Sequence, residues 1–377
     1  MDEKGAPPTS TIRLPLGPYH PTLALPLDLT LRLRGETIEG LAPVGTGYAR
    51  RGIAALAAGR PIDEALLIVE RACSFAHESY RIALCMAVEA ATSTAVPLIA
   101  QHVRLLYAEI ERILARLWNL VQIARAAGDH KAEADALEQR EALFESLQAA
   151  TGRRHYWAVS VPGGVRENLD ATPLKRVLGA FDRALDAWRA RVAPAGRLGR
   201  ICRDLGPLNA ERAAKLGLTG VAARGSRPIE DLRRARPYGA YGANTAALKV
   251  TDRKLGGDVA ARLVCIIEDV GTSLSLARPV ADELVADELA AATLPAVRAA
   301  PGEAQPGAIS LGAVEGPHGP IEVAVTLAGA DSLAQLRLSA PGAATLAGLP
   351  ELLEGRSLAQ ASVILASLDL CIECLDL

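Results

Sequence analysis

Residues 97–120, PLIAQHVRLLYAEIERILARLWNL, decide the fold. Within this stretch the apolar side chains recur every three or four positions, at Ile99, Val103, Leu106, Ile110, Ile113, Leu117 and Leu120. That period places them on one face of an α-helix, and Pro97 suits the helix start because its fixed backbone angle is compatible with the first turn. The stretch therefore predicts one long amphipathic helix that packs against others.

Three more segments follow the same helical period further along the chain. A charged helix is predicted over 131–149, after the break at Gly128-Asp129, and Thr172-Pro173 opens another whose apolar face includes Phe181 and Trp188. A fourth helix follows from the apolar spacing of residues 259–274. Four amphipathic helices of this length predict a central bundle, because each must bury its apolar face against another.

Strand signals occur near both ends of the chain. Residues 27–33 alternate leucine with polar side chains, Gly35-Glu36 then forms a turn, and a second extended run covers 37–44, which together predict a hairpin with one buried face. Residues 321–327 and 334–338 are predicted to be short strands. The predicted fold class is mainly α with small β elements, with a central long-helix bundle and an N-terminal antiparallel hairpin sheet.

Glycine and proline mark the predicted organisation of the chain. We expect a flexible tail at 1–11, an N-terminal β-hairpin region at 12–60, and a helical bundle domain at 61–377. The last includes the short C-terminal strands and two Gly- and Pro-rich connections, a loop at 217–242 and a segment at 295–320. The arginines of the 217–242 loop could form a solvated surface, and Asp231 is expected to pair with Arg233 or Arg234.

Composition excludes several classes of protein. Half of the 377 residues are hydrophobic and 22% are charged, which is a globular composition. The net charge of −2 gives no electrostatic basis for a nucleic-acid partner. No apolar run is long enough to span a membrane and the N-terminus has no secretory apolar region, so we expect a cytoplasmic protein whose six cysteines stay reduced.

Cysteines near the two ends of the chain form two half-motifs. Glu70-Arg71-Ala72-Cys73 lies near the start, whereas Cys371 and Cys374 form a C-x-x-C almost at the end. We predict that the three sulfurs converge on one buried pocket. Ala76 stands where a second N-terminal thiol would complete the set, and the sequence leaves open whether the three thiols bind a metal, join His77 in a Cys₃His zinc site, or stay free and redox-sensitive.

The half-motifs belong to an ordered series of short segments that a known family shares. The segments are Gly17-Pro18-Tyr19-His20-Pro21, Gly47-Tyr48 with Arg51-Gly52-Ile53, Glu70-Arg71-x-Cys73, Ala87-Val88-Glu89, Pro162-Gly163-Gly164-Val165, Asp231-x-Arg233-Arg234 with Pro237-Tyr238, Gly256-Gly257-Asp258 with Arg262, Glu315-x-Pro317-x-Gly319, and Ser367-Leu368-Asp369-x-Cys371-x-x-Cys374. In these segments the chain resembles the large subunit of nickel–iron hydrogenases of the membrane-bound, energy-converting type. It is equally similar in outline to the homologous quinone-facing subunit in the peripheral arm of NADH-quinone oxidoreductase (complex I).

The resemblance implies a site and a set of partners. In the hydrogenases four thiolates hold nickel and two of them bridge to iron, so Cys73 and Cys371 match terminal nickel ligands and Cys374 matches a bridging ligand. The resemblance also implies that His20, His318, Asp231 and Arg233 lie at or near the cavity. It favours packing of the arginine-rich part of the 217–242 loop near the cavity and the partner subunit over a solvated surface. The implied partners are an iron–sulfur small subunit, which would hold the iron–sulfur cluster, and antiporter-like membrane subunits. The complex would lie on the inner face of the cell membrane.

Departures from the family pattern concentrate at this site. Ala76 replaces a bridging cysteine, Leu25 stands where the proton-relaying acid is expected, and His318 replaces the arginine that would lie over the metal. On the quinone side, Ala24 and Ser74 replace the histidine and the tyrosine of the NADH-quinone oxidoreductase pattern. The resemblance therefore implies either an incomplete nickel–iron centre or no cofactor in this chain, and little or no hydrogen turnover.

Three functional hypotheses follow. The chain could be an oxidoreductase subunit of a membrane-associated redox complex of the hydrogenase or NADH-quinone oxidoreductase type. It could instead be a non-catalytic scaffold or coupling subunit with the same fold. A third possibility is a zinc or thiol site that performs other chemistry on that fold.

Overall fold

A computed structural model describes residues 9–17, 27–42, 51–166, 169–249, 255–286, 302–303, 306–329, 331–339, 341–375 and 377. Within these ranges the chain is mainly helical, with three small antiparallel sheets. This confirms the predicted class of mainly α structure with small β elements. No helix in the described ranges combines the length and the apolarity needed to cross a bilayer.

Four long helices form the centre of the molecule. They are α4 (Leu98–Ala126), α5 (His130–Thr151), α6 (Thr172–Val192) and α11 (Val259–Ala286). Helix α4 packs against α5 and α11, and α6 packs against the same two helices. Their boundaries agree with the sequence, because Pro97 precedes α4 and the Asp129 side chain caps α5 by accepting a hydrogen bond from Ala132 N.

The N-terminal sheet contains the predicted hairpin and one further strand. Strands β1 (Thr9–Leu16), β2 (Leu27–Arg34) and β3 (Thr37–Leu41) follow one another in the sheet, and both pairs are antiparallel. Along β2 the leucines are buried and alternate with exposed or half-buried polar residues, as the sequence pattern predicted. Strand β1 was not predicted, and it begins at Thr9, inside the segment expected to be a flexible tail.

Shorter helices connect the bundle to the C-terminal sheet. They are α1 (Ile53–Ala57), α2 (Ile62–Val69), α3 (His77–Ala91), α7 (Arg197–Cys202), α8 (Ala210–Lys215), α9 (Gly220–Arg224) and α10 (Leu232–Ala235). Strands β4 (Ser160–Val161) and β5 (Gly164–Val165) form a two-stranded antiparallel hairpin. Arg104 on α4 holds this hairpin, since its guanidinium donates to the carbonyl oxygens of Val161 and Gly164.

The C-terminal part forms a second layer on α3. Strands β6 (Ile309–Gly316), β7 (Gly319–Leu327) and β8 (Leu333–Ser339) form an antiparallel meander, followed by α12 (Ala343–Ala347), α13 (Leu349–Leu353) and α14 (Leu358–Ser367). Both β6 and β7 pack on α3. Gly312 allows the close approach, because a Cβ atom there would lie 2.0 Å from the Ala83 carbonyl oxygen.

One prediction about the connecting segments is wrong, and an alternative left open for another is decided in part. Strand β6 lies within 295–320, which was expected to be a connection, and it includes Gly312 and Gly316. The 217–242 segment contains α9 and α10, with Arg224 and Arg233 buried and Arg234 and Arg236 exposed, so only some of its arginines form a solvated surface. Charge alone did not reveal this burial, because apart from Asp231 the partners of these two arginines, Glu109, Asp269 and Glu315, come from distant parts of the chain.

Candidate functional site

Two turns from opposite ends of the chain form the site. Cys73 lies in the turn between α2 and α3, whereas Cys371 and Cys374 follow α14. The Sγ atoms of Cys73 and Cys371 are 3.4 Å apart, and all three sulfurs lie within 4.8 Å of one another. Sequence analysis predicted this convergence, and the structure brings the three residues together in a buried position.

Arg51 links the two turns directly. Its guanidinium donates hydrogen bonds to the carbonyl oxygens of Arg71 and Ala72 in the first turn and of Glu373 in the second, at 2.6–2.9 Å. Glu373 adds a further contact, because its carboxylate accepts hydrogen bonds from the backbone N–H and the hydroxyl of Ser74. One half-buried cation and one carboxylate thus fix the distance between the cysteine half-motifs.

The turn that follows α14 has a constrained backbone. Asp369 has a φ of 53°, in the left-handed region that non-glycine residues rarely occupy. Its carboxylate is held by Arg116 and Asn119, which donate to it at 2.6 and 2.8 Å. This anchored turn brings Cys371, two residues later, next to Cys73.

His318 is adjacent to the thiols and paired with the same carboxylate. Its Nδ1 atom lies 2.8 Å from Asp369 Oδ1. Burial lowers the pKa of His318, but the Asp369 carboxylate and the nearby Cys371 outweigh burial and raise it to about 10. The pKa of Asp369 falls to about 2 because His318 and Arg116 outweigh its burial. His318 is therefore a cation at neutral pH, as the arginine of the family pattern would be.

The pKa values of the three thiols are shifted in different directions. Burial raises the pKa of Cys73. Hydrogen bonds from Cys371 and Cys73 hold the pKa of the Cys374 thiol below its ordinary value. The hydrogen bond with Cys374 raises the pKa of Cys371, so the three thiols titrate together rather than independently, and a proton can pass from one sulfur to another.

A small cleft reaches Cys371. It has a volume of about 20 Å³, and it is lined by aromatic and polar side chains that include Phe75, Trp118 and His318. Phe75 stacks on Trp118 with ring centroids 6.1 Å apart. Cys371 is the most exposed of the three cysteines, at 8%, compared with 0% for Cys73 and 3% for Cys374. A small molecule would therefore meet Cys371 first.

The donors present do not fit a binuclear nickel–iron centre. That centre needs four thiolates, and Ala76, fully buried in the same apolar cluster as the three cysteines, has no donor atom. Among the described residues, the converging group of metal-type donors consists of Cys73, Cys371 and Cys374. Three thiols could still bind a single soft metal ion with an open fourth position.

His77 lies outside this group. Its ring contacts the rings of Trp157 and Tyr156, with centroids 4.4 and 4.7 Å apart, and its Nδ1 is 3.4 Å from Glu111 Oε1. Burial lowers the pKa of His77 to about 3. The structure therefore gives no support to a Cys₃His zinc site that includes His77.

Asp231 and Arg233 lie in a buried ionic network rather than beside the thiols. Arg233 pairs with Asp231 at 2.8 Å and with Glu109 at 3.0 Å, which confirms the expected pairing of Arg233 with Asp231. Arg224 bridges Asp231 and Glu315, with 2.9 Å to each. Buried charges of both signs satisfy one another here, which a buried ion requires.

The network reaches the thiol site through one arginine. Asp269 lies 3.3 Å from Arg233 and 2.7 Å from Arg116, and Arg116 in turn binds Asp369 at 2.6 Å. Sequence analysis missed Arg116 and Asp269. The sequence signal for Arg116 is that Glu109, Arg112 and Arg116 follow the three- to four-residue spacing of α4, so these charged residues form a stripe of their own.

A second cavity lies elsewhere, between α3, α4 and the turn at Gly239–Tyr241. Its volume is about 270 Å³ and its lining includes Glu89, Arg104, Tyr238 and Tyr241, but none of the three cysteines. His20, the remaining predicted site residue, lies outside the described residues, as do Ala24 and Leu25.

Comparisons with known proteins extend the relationship over the whole chain. A profile of the family described as "Respiratory-chain NADH dehydrogenase, 49 Kd subunit" matches residues 132–305 and 297–377. The chain is 27% identical over 371 residues to the "Carbon monoxide-induced hydrogenase" of Rhodospirillum rubrum, covering 97% of this chain and 99% of that protein. It is 31% identical over 283 residues to a subunit of the NADH-quinone oxidoreductase of Streptomyces coelicolor, covering 74% and 73%.

A solved structure has the same fold. A chain of "the membrane-bound sulfane sulfur reductase (MBS), an archaeal respiratory membrane complex" superposes with a TM-score of 0.85 and 22% sequence identity, covering 100% of both chains. At this identity the likeness concerns the fold.

Proposed function

Because the chain belongs to the family of the respiratory-chain NADH dehydrogenase 49 kDa subunit, we propose that it is the site-bearing peripheral subunit of a membrane-associated respiratory redox complex. Its cysteine cavity would pass electrons to a small acceptor without turning over hydrogen. The observation that supports this proposal most strongly is the convergence of Cys73, Cys371 and Cys374. A site that had lost all function would not be expected to keep three buried thiols together from both ends of the chain.

The partners of the proposed complex follow from the relatives. One is an iron–sulfur small subunit, which would supply electrons one at a time from its cluster. The others are antiporter-like membrane subunits that would hold this chain on the inner face of the cell membrane. The relatives named above include a subunit of NADH-quinone oxidoreductase and a chain of a respiratory membrane complex, which supports this placement.

The chemistry of the cavity favours an acceptor that contains sulfur–sulfur bonds. Hydrogen turnover needs a metal that binds hydride, and Ala76 removes one of the four thiolates that would hold it. Thiolates, in contrast, attack sulfur–sulfur bonds directly. We therefore propose sulfane sulfur as the acceptor class, which agrees with the activity named for the protein of the same fold.

A purified complex tests this function. We expect negligible hydrogen oxidation and evolution, much less than one nickel per chain, and measurable reduction of inorganic polysulfide. Cys371→Ser should abolish that reduction while the complex still assembles, whereas Cys85→Ser, on a buried cysteine outside the site, should leave it unchanged. Stoichiometric nickel and iron together with hydrogen turnover would refute the proposal.

A second candidate, a non-catalytic coupling subunit, is favoured by the ionic network that joins Asp369 to Arg233 through Arg116 and Asp269. Such a rigid network could transmit a conformational change without redox chemistry. If Cys371→Ser leaves every electron-transfer rate of the complex unchanged, this candidate replaces the first. Stoichiometric zinc that is lost in Cys374→Ser would instead indicate a single-metal site.

A further inference from the structure

The misfit between three thiols and a four-thiolate metal centre raises the question of what the thiols do. Cys73 and Cys371 have sulfurs 3.4 Å apart, close to van der Waals contact. A disulfide needs about 2.05 Å between the sulfurs, so closing the bond requires them to approach by only about 1.4 Å. The Sγ atom of Cys374 lies within 4.8 Å of both and also hydrogen-bonds to Cys73 and Cys371.

We propose that Cys73 and Cys371 form a reversible dithiol–disulfide couple, in which Cys371 attacks the acceptor and Cys73 resolves the resulting intermediate. This inference rests on the proposed function for its acceptor and its electron supply. The two roles follow from exposure, because Cys371 borders the small cleft and Cys73 is fully buried behind it.

The reaction balances in three steps. The Cys371 thiolate attacks the outer sulfur of a persulfide acceptor R–S–SH, forms Cys371–S–SH and releases RS⁻. The Cys73 thiolate then attacks the Cys371 sulfur, which forms the Cys73–Cys371 disulfide and releases HS⁻. Two electrons from the iron–sulfur partner reduce the disulfide to two thiolates. The sum is R–S–SH plus two electrons giving RS⁻ and HS⁻, and water supplies the protons that the products take up.

Within the cluster, the 3.4 Å contact and the exposure of Cys371 favour this pair, and two further features support it. Arg51 and Glu373 hold the two turns together, so the sulfurs of Cys73 and Cys371 are already close before a disulfide forms. The other three cysteines, Cys85, Cys202 and Cys265, are buried on helices and lie outside the cluster. They therefore serve as internal controls for any oxidation experiment.

The test uses the full chain without its partners. The reduced, metal-free protein is treated with inorganic polysulfide in the absence of oxygen, denatured in an alkylating reagent, digested with trypsin and analysed by mass spectrometry without reduction. We expect the number of free thiols to fall from six to four. The peptide that contains Cys73 should be linked to the C-terminal peptide.

Variants identify the bond. The link should persist in Cys374→Ser and in the control Cys85→Ser, and it should disappear in Cys371→Ser and Cys73→Ser. A link between Cys371 and Cys374, or six free thiols after treatment, would overturn the inference. Neither outcome would bear on membership in a respiratory complex, because the complex is tested separately through assembly and electron transfer. Conversely, hydrogen turnover by the complex would refute the proposed function even if the disulfide forms.

Discussion

Glu111 provides the sharpest test of the electrostatics around the site. It lies on α4, buried, and its carboxylate accepts hydrogen bonds from the backbone N–H groups of Glu78 and Ser79 at the start of α3 and from the Ser79 hydroxyl. No arginine or lysine among the described residues forms an ion pair with it; the nearest basic group is the neutral ring of His77. Burial raises the pKa of Glu111 from 4.5 to about 8 even though these hydrogen bonds oppose the shift.

Because folding raises the pKa of Glu111, this residue should make the protein less stable as the pH rises. The folded state holds the proton more tightly than the unfolded state, so the contribution of Glu111 to stability is fully present below pH 4.5 and is lost as the pH rises towards about 8. A difference of about 3.5 pH units at about 1.4 kcal/mol each gives an upper magnitude of roughly 5 kcal/mol. Glu78, whose pKa burial raises to about 7, acts in the same direction.

We expect Glu111→Gln to remove this part of the pH dependence. The glutamine cannot ionise. From pH 5 to pH 9 the free energy of unfolding of the variant, measured with urea, should therefore rise by roughly 3–5 kcal/mol relative to that of the unmodified protein. If altered hydrogen bonds lower the stability of the variant equally at both pH values, that loss does not affect this comparison. Glu138→Gln, at an exposed position on the neighbouring helix, is the matched control and should not change the pH dependence.

A second observable reports the proton directly. At pH 6 the infrared spectrum should contain carboxylic acid C=O absorption that disappears at pH 9, and Glu111→Gln should lack the part from Glu111 while it keeps the part from Glu78. Parallel stability curves for the variant and the unmodified protein across this range would show that Glu111 is ionised in the fold, and the electrostatic reasoning would fail.

Three further predictions concern the geometry of the thiol site. Arg51→Ala should destabilise the chain by about 2–4 kcal/mol, because three carbonyl oxygens lose a charged donor, and hydrogen exchange should accelerate in the turn after α14. Gly220→Ala should cost more than about 2 kcal/mol, because φ is +58° and the new Cβ would lie 2.4 Å from the His318 carbonyl oxygen, whereas Gly217→Ala, with open space, should cost about 1 kcal/mol in thermal unfolding. Asp369→Asn should destabilise by about 3–5 kcal/mol and move the pKa of His318 down from about 10, as NMR titration would show; an unchanged pKa would contradict the assigned pairing.

The cysteine half-motifs show which features of the site a short sequence motif can predict and which it cannot. Their residue types and order indicated one shared pocket, and the structure brings the three sulfurs together. The motif did not reveal that Arg51 holds the two turns or that Asp369 adopts a left-handed backbone. It also offered His77 as a fourth ligand on spacing alone, although that side chain packs against Trp157 instead.

What the sequence determined by itself was the local structure. A repeat of three to four residues specifies that α4 is a helix, and alternation specifies the hairpin of β2 and β3, because both periods arise from backbone geometry within one element. Packing then buries α4 on all sides between Val103 and Leu117. Tertiary structure alone decided the partners of the buried charges. Arg116 joins Asp269 to Asp369, residues 153 and 253 positions away, and such a pairing depends on how whole elements pack rather than on any local period.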